Sequence, residues 1–373
     1  MPEAPLTCDE VLGRGWNDFS EDEKRSLLRA ERKKMTETLD QLHEDCRPPM
    51  KAFDGWYELA PFQLRWNFDE YLDEVPETIQ GSPLPIPGAR AIIAPHAGYA
   101  YSGRCSAWAF RCLDLARAKR VFVLGPTHYF YFRGLALSTF ASYSTPLGAF
   151  RVDQQTLRDV RAAADALGGA PDVRNMPRRR ELDEHSLEME IAFLYQRCEA
   201  VFASPADFPA IVPMLVSGDA DDERAVGRLL LPYLRDPANA FVVSSDFCHW
   251  GRQFGDYRPY FRGGDRARRV NLRDADAPPS PPIHESIKML DDEAIAAMET
   301  GSHDAFVANL EETENSVCGR HPIGAMMAAL ELLGADGAPE DRPRFKHVRY
   351  DRSALLTEPT KSSVSYVSAY ATF

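Results

Sequence analysis

The chain has 373 residues with a formal net charge of −13; 44% of them are hydrophobic and 27% are charged. This length and apolar content suit one large domain or two. The negative charge argues against binding to nucleic acids or anionic membranes, because both need a basic surface. No window approaches the ~18 to 20 apolar residues of a membrane span.

The cysteines and the first residues indicate a cellular compartment. The seven cysteines are scattered and form no CxxC pair, which is typical of a protein in a reducing environment. The chain start lacks the basic residues and the apolar stretch of a signal peptide. We therefore expect a cytoplasmic protein, with the nucleus as a second location.

The first 46 residues differ in pattern from the rest. Ser20 and Glu23 form a capping-box pattern, and apolar residues then recur at near-helical spacing. This predicts one amphipathic helix over 24–44, which we expect to pack on the same chain. We divide the chain into an N-terminal extension, residues 1–46, and a single α/β domain, residues 47–373.

From about residue 50, strand-like and helix-like segments alternate. Short apolar runs predict strands at 90–94, 120–125, 211–216, 241–245, 344–350 and 363–372. Longer segments predict helices at 61–75, 103–117, 153–167, 184–197, 225–234, 284–299, 303–312 and 321–334. The alternation predicts an α/β fold whose central sheet is mainly parallel or mixed, with helices on both faces.

Three segments carry more specific expectations. Pro213 lies inside a predicted strand, which should place that strand at an edge or the proline at a bulge. Residues 170–184 are rich in proline and arginine and predict a loop. Residues 251–282 carry many Gly, Pro, Asp and Arg residues and predict a long surface excursion, mobile or lid-like.

Four apolar β-type runs stop abruptly at a histidine or cysteine. The runs are 91–99, 121–128, 241–250 and 316–322, and the residues are His96, His128, His249 and Cys318. In open α/β sheets, ligands bind outside the carboxyl ends of the strands. Imidazoles and a thiol brought together there would form a site for a transition metal.

For the two first histidines, a structural role remains open beside the functional one. A lone histidine in a strand–helix turn, such as His96, is more often a structural hydrogen-bonding group. His128 repeats the same layout after a glycine and a proline. Two such turns in one chain strengthen the functional interpretation of both residues.

Asp246 and His249 form a candidate acid/base pair. If their turn is helical, a separation of three residues places both on one face. A carboxylate near an imidazole suits general acid/base catalysis. The alternative is that Asp246 caps a helix and His249 is simply buried.

Cys318 and His185 also permit two interpretations. Cys318 precedes Arg320 and His321, and its thiol should have a lowered pKa if a helix begins at Pro322. His185 lies in the string 183–186, whose acids suit the N-terminus of a predicted helix; the alternative is that His185 points into the site. The nucleotide-binding patterns GxxxxGK[ST] and GxGxxG and the GxSxG elbow are all missing from the sequence.

These motifs, in this order, resemble the Memo family (mediator of ErbB2-driven cell motility). The matching strings are 91–99, 125–128, 183–189, 242–250, 318–324 and 362–366. The family resembles class III extradiol ring-cleaving dioxygenases in fold. Those enzymes hold non-haem Fe(II) with two histidines and one carboxylate.

The resemblance implies a ligand set. His96 and His128 correspond to the two imidazole ligands, and Cys318 takes the third position. His249 matches the acid/base histidine, with Asp246 beside it. A thiolate is softer than a carboxylate, so the implied ion is iron or copper, with zinc as a further candidate.

The resemblance also implies three functions. The first is a metal-binding protein with a redox role in signalling. The second is a non-enzymatic adaptor that binds phosphotyrosine-type peptides in the same cleft. The third, an extradiol-type dioxygenase, is put in doubt by the thiol at the third ligand position. Pocket residues in this scheme are Trp56, Tyr99, Tyr101, His185, Arg320 and His321.

Overall fold

The computed structural model describes residues 19–39, 41–277, 279–335, 337 and 342–373. The first 18 residues of the predicted N-terminal extension and position 40 of its predicted helix lie outside these ranges.

The α-helices are α1 Glu21–Leu39, α2 Met50–Phe53, α3 Pro61–Asp73, α4 Tyr99–Cys112, α5 Gln154–Ala166, α6 Arg178–Asp183, α7 Glu188–Val201, α8 Ala220–Arg235, α9 Ile283–Glu299, α10 His303–Thr313 and α11 Arg320–Leu333. The strands are β1 Cys46–Arg47, β2 Thr78–Ile79, β3 Ser82–Pro83, β4 Ala89–Ala94, β5 Arg120–Gly125, β6 Gly134–Leu137, β7 Ser142–Thr145, β8 Gly148–Arg151, β9 Val173–Asn175, β10 Ala210–Ser217, β11 Asn239–Ser244, β12 Asp246–Trp250, β13 Pro259–Phe261, β14 Arg269–Asn271, β15 Lys346–Arg352 and β16 Ser363–Thr372.

A mixed sheet, nine-stranded within the described residues, forms the centre of the fold. Its order is β12-β16-β4-β11-β5-β10-β6-β9, and β15 also pairs with β16. The four strands β4, β11, β5 and β10 run parallel to one another, whereas β16 and β6 pair antiparallel with their neighbours β4 and β10. The predicted α/β fold with a mixed central sheet is confirmed.

Two groups of helices flank this sheet. Helices α3, α4 and α7 contact one another, and α4 lies against β4 and β16. Helix α11 packs on α8, β10 and β11, and α10 packs on α9 and α11. Strands enclosed in this way are apolar along their whole length, because both faces are covered. Val121, Phe122 and Val123 of β5 are accordingly fully buried.

The edge position predicted from Pro213 is wrong. Strand β10 lies inside the sheet, paired with β5 on one side and β6 on the other. The carbonyl oxygen of Pro213 accepts a hydrogen bond from Ser138 on the β6 side. The paired segment with β6 begins only at Met214. The proline is tolerated because the ladder on that side does not use its missing N–H.

The segment 251–282 lies largely at the surface, as expected, and its described residues are anchored by a few buried side chains. It contributes β13 and β14, which pair antiparallel. Tyr260, Phe261 and Leu272 are buried and form a small core with Trp250 and Ile283. The prediction missed these residues because isolated aromatic residues among many polar ones carry no helical or strand period.

Other differences concern helix positions. The helix predicted at 103–117 occupies Tyr99–Cys112, and the one predicted at 184–197 occupies Glu188–Val201. The predicted loop 170–184 contains β9 and α6. Among the residues that the structure describes, none of the helices combines the length and the apolar character that crossing a membrane would need.

Candidate metal centre

The candidate site lies where three neighbouring parallel strands end. Strands β4 and β5 pair on either side of β11, so their carboxyl ends meet at one edge of the sheet. His96 follows β4, His128 follows β5 and Asp246 follows β11. The position is the one at which ligands bind in α/β sheets.

Three imidazoles converge at this edge. One ring nitrogen from each of His96, His128 and His185 lies within 4.8 Å of the others, which makes them a possible metal-binding group among the described residues. The ring centroids of His128 and His185 are 4.2 Å apart, and His96 lies 5.3 Å and 5.2 Å from them. The Cys318 Sγ lies 3.2 Å from the Nε2 of His96. The structure thus places His185, expected only in the pocket, in the group with His96 and His128, whereas Cys318 lies near His96 and is not part of that group.

A buried carboxylate orients His128. The Nδ1 of His128 lies 2.8 Å from one oxygen of Glu184, and the backbone N–H of His128 donates to the other oxygen at 2.8 Å. The backbone N–H groups of His185 and Ser186 also donate to Glu184, each at 2.9 Å. Although burial raises the pKa of Glu184, its hydrogen bond to His128 and the nearby imidazoles lower it to about 2. This ionised carboxylate holds Nδ1 and leaves Nε2 of His128 for an ion.

His96 and His185 are neutral imidazoles. Burial, together with the neighbouring imidazoles, lowers the pKa of His96 well below its usual value. The same causes, burial first, lower the pKa of His185 to about 3. The Nδ1 of His185 is buried without a hydrogen-bond partner and lies 3.7 Å from Glu184, which is beyond hydrogen-bond distance. Neutral imidazoles with an unused nitrogen fit a transition-metal ion.

The thiol of Cys318 does not have the lowered pKa predicted for it. Burial, with the Asp246 carboxyl nearby, raises the pKa of Cys318 well above its usual value. The backbone N–H of Asp246 donates to its Sγ at 3.3 Å. The next residue must be small, because a Cβ on Gly319 would lie 2.3 Å from the Cβ of Ser245.

Asp246 supports the backbone beneath the site. Its Oδ1 accepts the backbone N–H of His96 at 2.9 Å, and burial raises its pKa to about 6. Asp246 and His249 do not share a helical turn, since both lie on β12, with a register shift between them. The segment is a strand that pairs with β16.

His249 has a defined tautomer. Its Nδ1 lies 2.8 Å and 3.2 Å from the carbonyl oxygens of Phe247 and Ser316. A carbonyl oxygen only accepts, so Nδ1 carries a proton and donates to these oxygens. The ring of Phe254 lies 5.1 Å from that of His249. The acid/base role of His249 stays a prediction.

The predicted pocket residues fall into different environments. The ring of Trp56 lies 4.8 Å from that of His185, and Tyr101 is 64% exposed. Tyr99 is only 3% exposed and its hydroxyl donates to the Met189 carbonyl. Tyr99 therefore belongs to the core and not to the cleft surface.

A cavity of about 520 Å³ opens beside the imidazoles. Residues that line it include His128, Cys318, His321, Tyr129 and Tyr131. The Nδ1 of His321 lies 2.7 Å from a carboxylate oxygen of Glu223. Arg320, the remaining predicted pocket residue, is half-buried at the first position of α11.

Most of the chain is similar to known proteins. A family profile described as "Memo-like protein" matches residues 47–370. The chain belongs to this family. It is 34% identical over 343 residues to MEMO1 family protein MHO1 of Saccharomyces cerevisiae, covering 87% of this chain and 98% of that protein. It is 37% identical over 315 residues to Protein memo-1 homolog of Caenorhabditis elegans, which covers 84% of this chain and 79% of that protein. It is 33% identical over 328 residues to Protein MEMO1 of Homo sapiens, which covers 88% of this chain and 97% of that protein.

The site of this Memo-like protein includes residues that the sequence did not single out. Glu184 was expected only as the first residue of the predicted helix 184–197, and Ser244 only as part of the predicted strand 241–245. Both contact a histidine across a long sequence separation. The adjacent string Glu184-His185-Ser186 was the one available signal for Glu184, since a carboxylate next to a histidine often orients an imidazole.

Proposed function

We propose that this Memo-like protein binds a transition-metal ion at His96, His128 and Cys318 and uses it in a redox role in signalling. The ion is iron or copper, with zinc as a further candidate, and the expected location is the cytoplasm or the nucleus. The observation that carries the proposal is that ring nitrogens of His96, His128 and His185 lie within 4.8 Å of one another. The Cys318 Sγ, 3.2 Å from Nε2 of His96, adds the sulfur ligand that the family resemblance implies.

The carboxylates support a ligand set of nitrogen and sulfur. Glu184 accepts hydrogen bonds from three backbone N–H groups and faces Nδ1 of His128. Asp246 accepts from the backbone of His96. Both carboxylates therefore act behind the imidazoles, which argues against a two-histidine, one-carboxylate site and against ring-cleaving dioxygenase activity.

The protein's own groups have separable roles in this proposal. A bound iron or copper ion would supply one-electron chemistry. Glu184 holds the His128 ring, and the Cys318 thiol gives up its proton when a metal binds. His249, with Nδ1 held by carbonyl oxygens, keeps Nε2 available to accept a proton in the cleft.

Metal analysis of protein purified without an affinity tag tests the proposal. We expect one iron or copper ion per chain, or stoichiometric uptake of Fe(II) or Cu(I) without oxygen. His96→Ala and Cys318→Ala should lose the ion, whereas Cys46→Ala, which removes a cysteine paired in β1 against β7, should keep it. A wild-type protein that takes up neither ion would exclude the metal function.

The role of His185 is resolved by one further variant. If the ion is held by His96, His128 and Cys318 alone, His185→Ala should keep most of the metal affinity. If the ion is lost in His185→Ala and kept in Cys318→Ala, the three histidines form the centre and Cys318 is not a ligand.

A second candidate function is a peptide adaptor, favoured by the surroundings of the cavity. Tyr131 on its lining is 81% exposed, and His128 and His321 also line it. Exposed aromatic and imidazole groups suit a phenyl phosphate. Calorimetry with a tyrosine-phosphorylated peptide tests this function. Binding that persists with a chelator and in His96→Ala would favour the adaptor over the metal protein.

A further inference from the structure

A serine hydroxyl lies at a junction behind His96. The Oγ of Ser244 is 2.7 Å from Nδ1 of His96, 2.7 Å from the carbonyl oxygen of Ser186 and 3.0 Å from Oε1 of Glu190. All four residues are buried. Because water is excluded here, these groups must satisfy one another.

The number of protons at this junction is limited. A serine hydroxyl donates one hydrogen bond and accepts two. The Ser186 carbonyl can only accept, so at 2.7 Å it takes the proton of Ser244. The other two neighbours, His96 and Glu190, must then donate to Ser244. Nδ1 of His96 therefore carries a proton, and Oε1 of Glu190 carries one as well.

The surroundings of Glu190 agree with this assignment. Its second oxygen, Oε2, is buried without any hydrogen-bond partner. Burying an ionised carboxylate with one oxygen unpaired costs much free energy, whereas burying a neutral carboxylic acid in the same place costs much less. Burial, with Asp246 nearby, raises the pKa of Glu190 well above its usual value.

We propose that Glu190 is a neutral carboxylic acid in the folded protein and acts as a positioning residue for His96. It donates to Ser244, Ser244 donates to the Ser186 carbonyl, and His96 donates from Nδ1 to Ser244. This chain fixes the tautomer of His96 and leaves Nε2 without a proton, facing the Cys318 Sγ at 3.2 Å.

The two predicted imidazole ligands then have different supports. His128 is held by the ionised Glu184 and His96 by a neutral hydroxyl. The more strongly polarised His128 should be the better electron donor. This consequence rests on the proposed metal function, but the protonation of Glu190 and the tautomer of His96 are properties of the metal-free protein.

Infrared difference spectroscopy of the metal-free protein at pH 7 tests the proposal. The wild-type spectrum minus that of Glu190→Gln should contain the C=O band of a protonated acid, shifted in D₂O. Glu199→Gln is the matched control on the same helix, because Glu199 is partly exposed and ion-paired with Arg65. It should remove only carboxylate bands. Loss of carboxylate bands in Glu190→Gln would overturn the proposal.

The tautomer of His96 gives a second, independent readout that needs no variant at Glu190. Nitrogen-15 chemical shifts of the metal-free wild-type protein should show Nδ1 protonated and Nε2 not. A proton on Nε2, or an imidazolium, would contradict the hydrogen-bond chain even if Glu190→Gln fails to fold.

Fe(II) titration without oxygen separates this inference from the proposed function. Ser244→Ala should weaken Fe(II) binding about 10- to 100-fold, the usual cost of losing a group that orients a ligand. Glu190→Gln should keep wild-type affinity because its amide still donates to Ser244. If the protein shows the C=O band of protonated Glu190 and a proton on Nδ1 of His96 but binds no ion, the neutral Glu190 is supported and the metal function is rejected.

Discussion

Two buried clusters in this protein combine histidines with a carboxylate, and they have opposite properties. The cleft cluster consists of His96, His128, His185 and Glu184. The helix cluster consists of Glu223, His303 and His321 and joins α8, α10 and α11. Glu223 uses one oxygen for each imidazole, at 2.7 Å to Nε2 of His303 and 2.7 Å to Nδ1 of His321.

The difference lies in how many ring nitrogens are occupied. His303 has both engaged, since its Nδ1 lies 3.3 Å from Asp304. Burial works to lower the pKa of His303, but the hydrogen bonds and charges of Glu223 and Asp304 raise it above the usual value. His185 keeps a nitrogen without a partner, and burial lowers its pKa to about 3. Pairing on both sides thus favours the charged form of His303, whereas burial without a partner disfavours the charged form of His185 and leaves one of its ring nitrogens open to an ion.

The largest expected effect comes from the helix cluster. Glu223→Ala leaves His303 buried without its counter-charge and should destabilise the fold by about 3 kcal/mol, the cost of removing one partner of a buried ion pair. Chemical denaturation measures the loss. Fe(II) affinity of the folded fraction should not change. Loss of the ion with unchanged stability would show that the helix cluster belongs to the metal centre.

The corresponding change in the cleft should act on binding. Glu184→Gln removes the charge behind His128, and Fe(II) affinity should fall about 10- to 100-fold. Competition with a chelator measures this affinity. Unchanged affinity in folded Glu184→Gln would mean that His128 needs no carboxylate support or is not a ligand.

The pH dependence of stability sharpens the comparison further. The pKa of His303 is raised in the folded protein. Its contribution to the stability of the fold is therefore complete below the pKa of the unfolded chain, about 6.5, and is lost as pH rises through the pKa of the folded protein. The pKa of Glu223 is lowered in the folded protein. Its contribution to the stability of the fold is therefore present above the pKa of the unfolded chain, about 4.3, and is lost as pH falls through the pKa of the folded protein.

The stability difference between wild type and His303→Gln should therefore be greatest at about pH 4.3 to 6.5. Above this range it should shrink by at most about 1.4 kcal/mol per pH unit for one proton. Denaturant midpoints measured across pH test this profile. A constant difference would show that His303 does not change its protonation on folding.

The smallest effect on binding is expected at His249. His249→Ala should leave the metal content unchanged, because Nδ1 of this residue is held by carbonyl oxygens and Nε2 is assigned to proton transfer. Metal analysis measures the content, and any turnover should fall. Loss of the ion in this variant would instead identify His249 as a ligand.

Much of the fold was predictable because its signals are local. The runs before His96 and His128 are continuously apolar, as strands covered on both faces must be. Turns rich in glycine and proline ended those strands at the residues that now converge. The edge position expected from Pro213 was wrong, because the second neighbour of its strand, β6, comes from a distant part of the chain. The small core that anchors the segment 251–282 was not predicted, because its isolated aromatic residues carry no period.

The amino-acid sequence by itself determined the family, the alternation of strands and helices and the strand ends that His96 and His128 follow. Cys318 lies in the loop between α10 and α11, so the strand-like run expected before it is not a strand. Only the tertiary structure decided that His185 joins the imidazoles, that Glu184 supports His128 and that the Cys318 thiol has a raised pKa. The reason is that desolvation and hydrogen bonding depend on which distant segments enclose a group. Residue order along the chain sets only the local conformation.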